Sequence, residues 1–150
     1  MAITTEVIKE LREITGVSVM QCRKALHEAG GDLKAALAFL QEHSGAVARK
    51  SAGRELKAGA IGSYVHDGTV GAMVLLGSET DFVAKNPEFT ALARELAMQV
   101  AAMAPENTEA LLAQPFIKDG AQTVHDLLNQ ATQKFGERIE VSGFERLSAR

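Results

Sequence analysis

Through most of the first 43 residues apolar side chains return every three or four positions, and the breaks between them look like helix caps. Val7, Ile8, Leu11 and Ile14 fall on one helical face, with Thr4 or Thr5 placed to cap it, and Gly16 interrupts the spacing. Ser18 opens a second helix, Gln21 stands at the capping-box distance, and Met20, Cys22, Ala25 and Leu26 supply its expected buried face. Gly30-Gly31 ends that helix, with one glycine expected in the left-handed conformation. Asp32 caps a third helix that turns Leu33, Ala36, Leu37 and Leu40 inward. Three short helices on tight turns predict a bundle whose core is too small to be more than marginal alone. Ser44-Gly45 opens a connector, where Arg49, Lys50, Arg54 and Lys57 read as a solvated helix or linker ahead of a binding patch.

From Gly59 onward the spacing turns from helical to alternating. Ile61, Ser63, Tyr64, Val65 and His66 belong to a strand, Asp67-Gly68 is a two-residue hairpin turn, and residues 69–76 return antiparallel. Asn86-Pro87 starts a long amphipathic helix with Phe89, Leu92, Ala93, Leu96, Val100 and Met103 inward, and Pro105 stops it. Residues 109–114 carry one or two further turns. Thr123 caps another helix with Val124, Leu127, Leu128, Ala131 and Phe135 inward and Gly136 just past its end. Ile139, Val141 and Leu147 alternate along a last strand, with Gly143 as a bulge or bend. The expected protein is α+β: a three-helix module over residues 1–45, a basic linker over 46–58, and a core domain over 59–150 in which a small antiparallel sheet packs with helices.

Between the hairpin and the long helix stand Ser78-Glu79-Thr80-Asp81-Phe82-Val83-Ala84-Lys85-Asn86-Pro87, a segment expected on the surface. An aromatic ring beside a carboxylate there has two explanations. Phe82 folds back into the core, which composition favours, or it is an anchor presented to a partner.

Composition narrows the function classes. The chain is 150 residues long, 46% hydrophobic and 23% charged, with a net charge of −3, which argues against nucleic acid as a direct partner. Cys22 is the lone cysteine, so there is no internal disulfide and no paired-cysteine metal knuckle. No two of His27, His43, His66 and His125 have metal-ligand spacing, and no phosphate loop or nucleophile elbow occurs. No apolar run reaches the length of a membrane span, and Glu6, Lys9, Glu10, Arg12 and Glu13 interrupt the start, unlike a signal peptide. The expectation is a cytoplasmic or organelle-matrix protein, not an enzyme, without cofactor or metal, that works by recognising another protein.

Two segments resemble a known family. Residues 11–26 read LREITGVSVMQCRKAL and are followed by Gly30-Gly31-Asp32; residues 79–86 read ETDFVAKN. In this order, with the hairpin between them, they look like the translation elongation factor Ts family, the nucleotide-exchange factors of elongation factor Tu. The likeness is colinear to about residue 104 and resumes from Gln114 to the last strand. It implies that the N-terminal module is a ubiquitin-associated-like three-helix bundle, and that Thr80, Asp81, Phe82 and Val83 press on the nucleotide domain of elongation factor Tu near its magnesium ion. Phe82 would be the wedge and Asp81 a support or a partner contact, while Thr80 would cap and Val83 pack. Arg12, Val19, Met20 and Arg23 match positions that face a helix of the same partner, although Val19 and Met20 could equally complete the module's own core. The sequence departs from the family at Gly77-Ser78, where Asn-Cys is usual, and at Ser142-Gly143, where paired arginines are usual. It also lacks a longer insertion after Ala104, so the core domain is a reduced form.

The implied function is guanine-nucleotide exchange on elongation factor Tu, in its GDP-bound and nucleotide-free forms, with a homo-oligomer left open. The alternative is a binding module of the same shape with little exchange activity. An enzyme would need an ordered metal or polar cleft at His66 or His125.

Overall fold

In a computed structural model of the chain, which describes residues 2–150 apart from the side chains of residues 47, 50 and 51, each of the first three helices opens on a side chain that caps it. Lys50, one cation of the expected basic stretch, thus has its side chain outside the described residues. The chain divides into two units, Met1–Ala52 with Asn129–Gly136, and Gly53–Leu128 with Glu137–Arg150.

In the first unit α1 spans Thr5–Thr15, α2 Val19–Glu28 and α3 Leu33–Ser51. Thr4 accepts from the Val7 amide, Ser18 from Gln21 and Asp32 from Ala35, at 3.2, 3.2 and 3.3 Å. Gly16 closes α1 at φ 72°, and both Gly30 and Gly31, not one of them, are left-handed after α2. The core is Ile8, Leu11, Val17, Cys22, Ala25, Leu26, Ala36 and Leu40. Val7, Leu33 and Leu37 pack against it half-buried, whereas Ile14 and Met20, also expected inward, are exposed. Cys22, Ala25 and Leu26 define the inner stripe of α2, and Met20 sits roughly 200° around the helix from Cys22. At the end of α1 the chain turns at Gly16, and Val17 beyond the turn is buried while Ile14 is not. Nor does α3 stop at Ser44-Gly45. The buried Ser44 hydroxyl donates to the Gln41 carbonyl at 2.8 Å, satisfying itself within the helix, and the surrounding alanines offset the glycine's cost of ~1 kcal/mol.

In the second unit β1 (Ala58–His66) and β2 (Val70–Ser78) form the expected hairpin, with Asp67 at φ 49° and Gly68 at φ 69°, both positive as a type I′ turn requires. β5 (Glu140–Ser148) pairs antiparallel with β2, giving the order β1-β2-β5. A bulge interrupts that pairing: Leu75 faces Gly143 but Leu76 faces Val141, leaving Ser142 as the extra residue. The bulge also corrects the expectation for Leu147. Val141 points inward before it, the phase flips, and Leu147 emerges 80% exposed.

One sheet face, with Ala72, Val74, Leu76 and Val141 buried, packs on α5 (Pro87–Met103) through Phe89, Leu92, Ala93, Leu96 and Val100. Met103, expected inward, is half exposed at the end of that helix. The opposite face leaves Ile61, Val65, Met73, Leu75 and Leu147 in solvent. Strand β1 comes so close to α5 that a Cβ on Gly62 would stand 2.2 Å from the Ala93 carbonyl carbon. After α5 come α6 (Thr108–Ala113) and an unforeseen two-stranded ribbon, β3 (Pro115–Phe116) with β4 (Asp119–Thr123). Gln99, fully buried on α5, pins this ribbon: its amide donates to Gln114 Oε1 and the Pro115 carbonyl, and its oxygen accepts from the Ile117 amide. Helix α7 (Val124–Phe135) starts on a reciprocal box between Thr123 and Asp126.

The architecture is α+β, N-terminal helices followed by a small antiparallel sheet packed with helices. No described helix is long and apolar enough to cross a membrane.

Candidate functional site: the turn between the hairpin and the long helix

The segment expected as a loop contains one helical turn, α4 (Asp81–Ala84). Thr80 is its cap, extended at φ −127° and ψ 154°, with its hydroxyl oxygen accepting from the Val83 amide at 3.4 Å. The amides of Ala84, Lys85 and Asn86 return to the carbonyls of Thr80, Asp81 and Val83. Asn86 then caps α5, accepting from Glu88 at 2.8 Å, with Pro87 at the first helical position. The turn is therefore joined to the long helix without a flexible spacer.

A single turn has an inside and an outside. Val83 and Ala84 are buried, at 5% and 6%, and anchor the turn to the second unit's core. Phe82 lies on the other side and is 86% exposed, so the core reading of this ring does not hold. Asp81 is exposed beside it, in the first turn where a carboxylate suits the helix dipole.

Residues from the end of the chain hold this turn in place. Glu137 Oε1 accepts from the amides of Glu79 and Thr80 at 3.1 and 3.0 Å, and Oε2 accepts from the Thr80 hydroxyl at 2.6 Å. In return, Glu79 Oε2 accepts from the Arg138 amide at 2.6 Å and stands 3.6 Å from the Arg54 guanidinium. The Arg138 side chain donates to the Arg54 carbonyl and pairs with Glu140. Nothing local in the sequence marks Glu137 for this role, because its partners are 57 and 58 residues away. Only Gly136, ending α7, hinted that the chain turns there.

The second set of candidates lies in the first unit. Arg12, Val19, Met20 and Arg23 are all exposed, Met20 at 80%. Met20 and Arg23 come together with Ile3, Thr5, Ile8, Lys24 and His27 around a groove of about 580 Å³. Arg12 and Val19 do not line it. The groove pairs an apolar floor with cations along α2.

Two of the histidines have local partners. His66 bonds the Tyr64 hydroxyl at 3.0 Å and lies 3.4 Å from the Asp67 carboxylate, and His43 stacks on Phe39. Cys22 is sealed in the first unit's core, and burial pushes its thiol up against smaller opposing pulls from Thr15 and Arg12. Among the described residues no group of three or more His, Cys, Asp or Glu side chains is placed to hold a metal.

Comparison with known proteins matches both parts of the chain. A family model described as elongation factor TS matches residues 79–150, and one described as a UBA-like domain matches residues 4–46. An elongation factor Ts from Thermodesulfovibrio yellowstonii is 37% identical over 190 aligned positions, covering 97% of this chain and 96% of that protein. One from Leptospira biflexa is 38% identical over 192 positions, covering 97% of each. One from Trichlorobacter lovleyi is 41% identical over 150 positions, covering 99% of this chain and 48% of its own length. The alignment with the first of these has 190 positions against a chain of 150 residues, so at least 40 of them face gaps in this chain.

Proposed function

The chain belongs to the elongation factor Ts family and so to the factors of translation elongation, and on that premise we propose that it is a guanine-nucleotide exchange factor for elongation factor Tu. It binds the GDP-bound and nucleotide-free partner and promotes GDP release by disturbing the magnesium and phosphate site. The observation that carries this reading is the Phe82 ring, 86% exposed on a turn whose next two residues are buried. Single exposed apolar side chains are ordinary, but aromatic residues are enriched at the centres of protein interfaces, and a ring presented on a turn seated by Val83 and Ala84 suits that use.

The mechanism breaks no bond, so the protein is not an enzyme. GDP leaves slowly while magnesium and backbone amides grip its phosphates. A factor speeds release only by binding better to the state in which that grip is disturbed. Burying the Phe82 ring contributes roughly 1.5–3 kcal/mol, and each ~1.4 kcal/mol is a tenfold change. One ring thus supplies about 10- to 100-fold, and the rest comes from the wider interface. In this reading Asp81 meets a polar group of the partner, Thr80 and Val83 keep the turn in shape, and Arg12, Val19, Met20 and Arg23 form a second contact. The protein works in the cytoplasm, with no cofactor and no direct contact with nucleic acid.

The test is release of a fluorescent GDP analogue from elongation factor Tu as this chain is titrated in. Saturable acceleration is expected. Binding without acceleration would leave the alternative, a gripping module with little exchange activity, which the missing aligned positions favour. Met20→Ala should raise the half-saturating concentration about three- to tenfold and leave the maximal release rate unchanged. Its effect on stability should stay within about 0.5 kcal/mol, since Met20 is 80% exposed.

A further inference from the structure

We propose that Glu137 is a positioning residue for nucleotide release: it sets the direction in which the Phe82 turn is presented. The inference rests on the exchange reading above and adds a residue to it. A four-residue helix cannot hold its own orientation, because nucleating a turn fixes several dihedrals for one hydrogen bond. Burial of Val83 and Ala84 fixes the depth of the turn, but its heading is set by the residues that enter it.

Those residues leave the sheet unpartnered. The ladder with β1 ends at Ser78 opposite Ala58, and the ladder with β5 ends at Gly77 opposite Glu140. The next two amides, of Glu79 and Thr80, have no strand to donate to. The Glu137 carboxylate takes both, and takes the Thr80 hydroxyl as well. That hydroxyl is doubly committed: it donates to Glu137 and accepts from the Val83 amide inside α4. One carboxylate therefore connects the approach, the cap and the turn. The return bond from the Arg138 amide to Glu79 closes the ring between the end of β2 and the start of β5. Charge-assisted bonds of this kind are about twice as strong as neutral ones, and several meet at one residue. The carboxylate holds Thr80 by both its amide and its hydroxyl, so the effect reaches the ring through Thr80.

The experiment compares the wild-type protein, Glu137→Ala and Glu137→Gln in fluorescent-GDP release, well below the melting temperature. Glu137→Ala should lower the maximal release rate at least tenfold while moving the half-saturating concentration less than threefold, because the rest of the interface is untouched. Glu137→Gln keeps one acceptor oxygen and should lose about threefold. The readout of the clamp that does not depend on exchange is amide hydrogen exchange: Glu79 and Thr80 should exchange at least tenfold faster in Glu137→Ala, with the core strands unchanged. If wild-type protein accelerates release and Glu137→Ala matches its maximal rate within twofold, the proposal is overturned. Should Glu137→Ala fail to fold, Glu137→Gln decides on the same criterion. If wild-type protein gives no acceleration, the exchange reading fails, and unchanged protection at residues 79 and 80 would separately dismiss the clamp.

Discussion

Phe82→Ala is expected to slow GDP release at saturating protein by about 10- to 100-fold while moving the melting temperature by no more than ~2 °C. The two halves of this expectation have one cause. A ring that is 86% exposed in the free protein contributes little to folding, so its loss costs at most about 0.5 kcal/mol. The same ring transferred into a partner's apolar site contributes its full burial, and only if the site differs between gripped and disturbed states does that energy appear in the rate. Stopped-flow release and thermal unfolding on one preparation check both halves. Losses of stability and rate in proportion would show that the ring supports its own fold and does not act on a partner.

The largest stability effect is expected far from that ring, at Gly62→Ala. The added methyl would meet the Ala93 carbonyl carbon at 2.2 Å, its oxygen at 2.3 Å and the Arg94 nitrogen at 2.4 Å, all backbone atoms. No rotamer can move to relieve this, so α5 must lift off β1 or the strand must bend. Overpacking at a helix–sheet contact of this kind should cost about 3 kcal/mol or more, which for a chain of this length is ~6–12 °C in melting temperature. Tyr64, the sole tyrosine in a chain without tryptophan, lies two residues along the same strand and reports the transition by its emission. Gly143→Ala is the matched control: a Cβ there meets nothing within 4 Å, and the change should stay within about 0.5 kcal/mol. Equal midpoints for the two variants would mean that α5 is not seated on β1.

Elements with strong local chemistry were legible before the fold was seen. Asp67-Gly68 has few alternatives to a type I′ turn, and Asn86-Pro87 ahead of a long apolar stripe can hardly be anything but a helix start. Local rules failed where a distant contact decides. Ser44-Gly45 reads as a break, yet the serine closes its hydrogen bond inside the helix and the chain runs on to Ser51. A bulge or bend was expected at Gly143, and the ladder does slip there with Ser142 as the extra residue, but alternation still put Leu147 indoors because the flip of phase is read only against the strand that β5 faces. The ribbon of β3 and β4 depends on a buried glutamine of α5 rather than on strand propensity. The candidate site divides in the same way. Its segment was legible as an oddity, an aromatic in a polar stretch, and its family likeness pointed to the residues. Four residues are too few for periodicity to say which side faces solvent. The carboxylate that holds the turn comes from the chain's last quarter, with nothing near it in sequence to mark it.

The sealed thiol of Cys22 gives the protein a built-in clock. An alkylating reagent reaches that sulfur only when the first three helices part, and burial keeps the reactive anion scarce until they do. The labelling rate therefore times the opening of the first unit alone, since the second unit contains no cysteine. A single cysteine introduced at position 82 would in turn be the one site that reacts in the native state. A dye placed there reports directly on whatever that position touches.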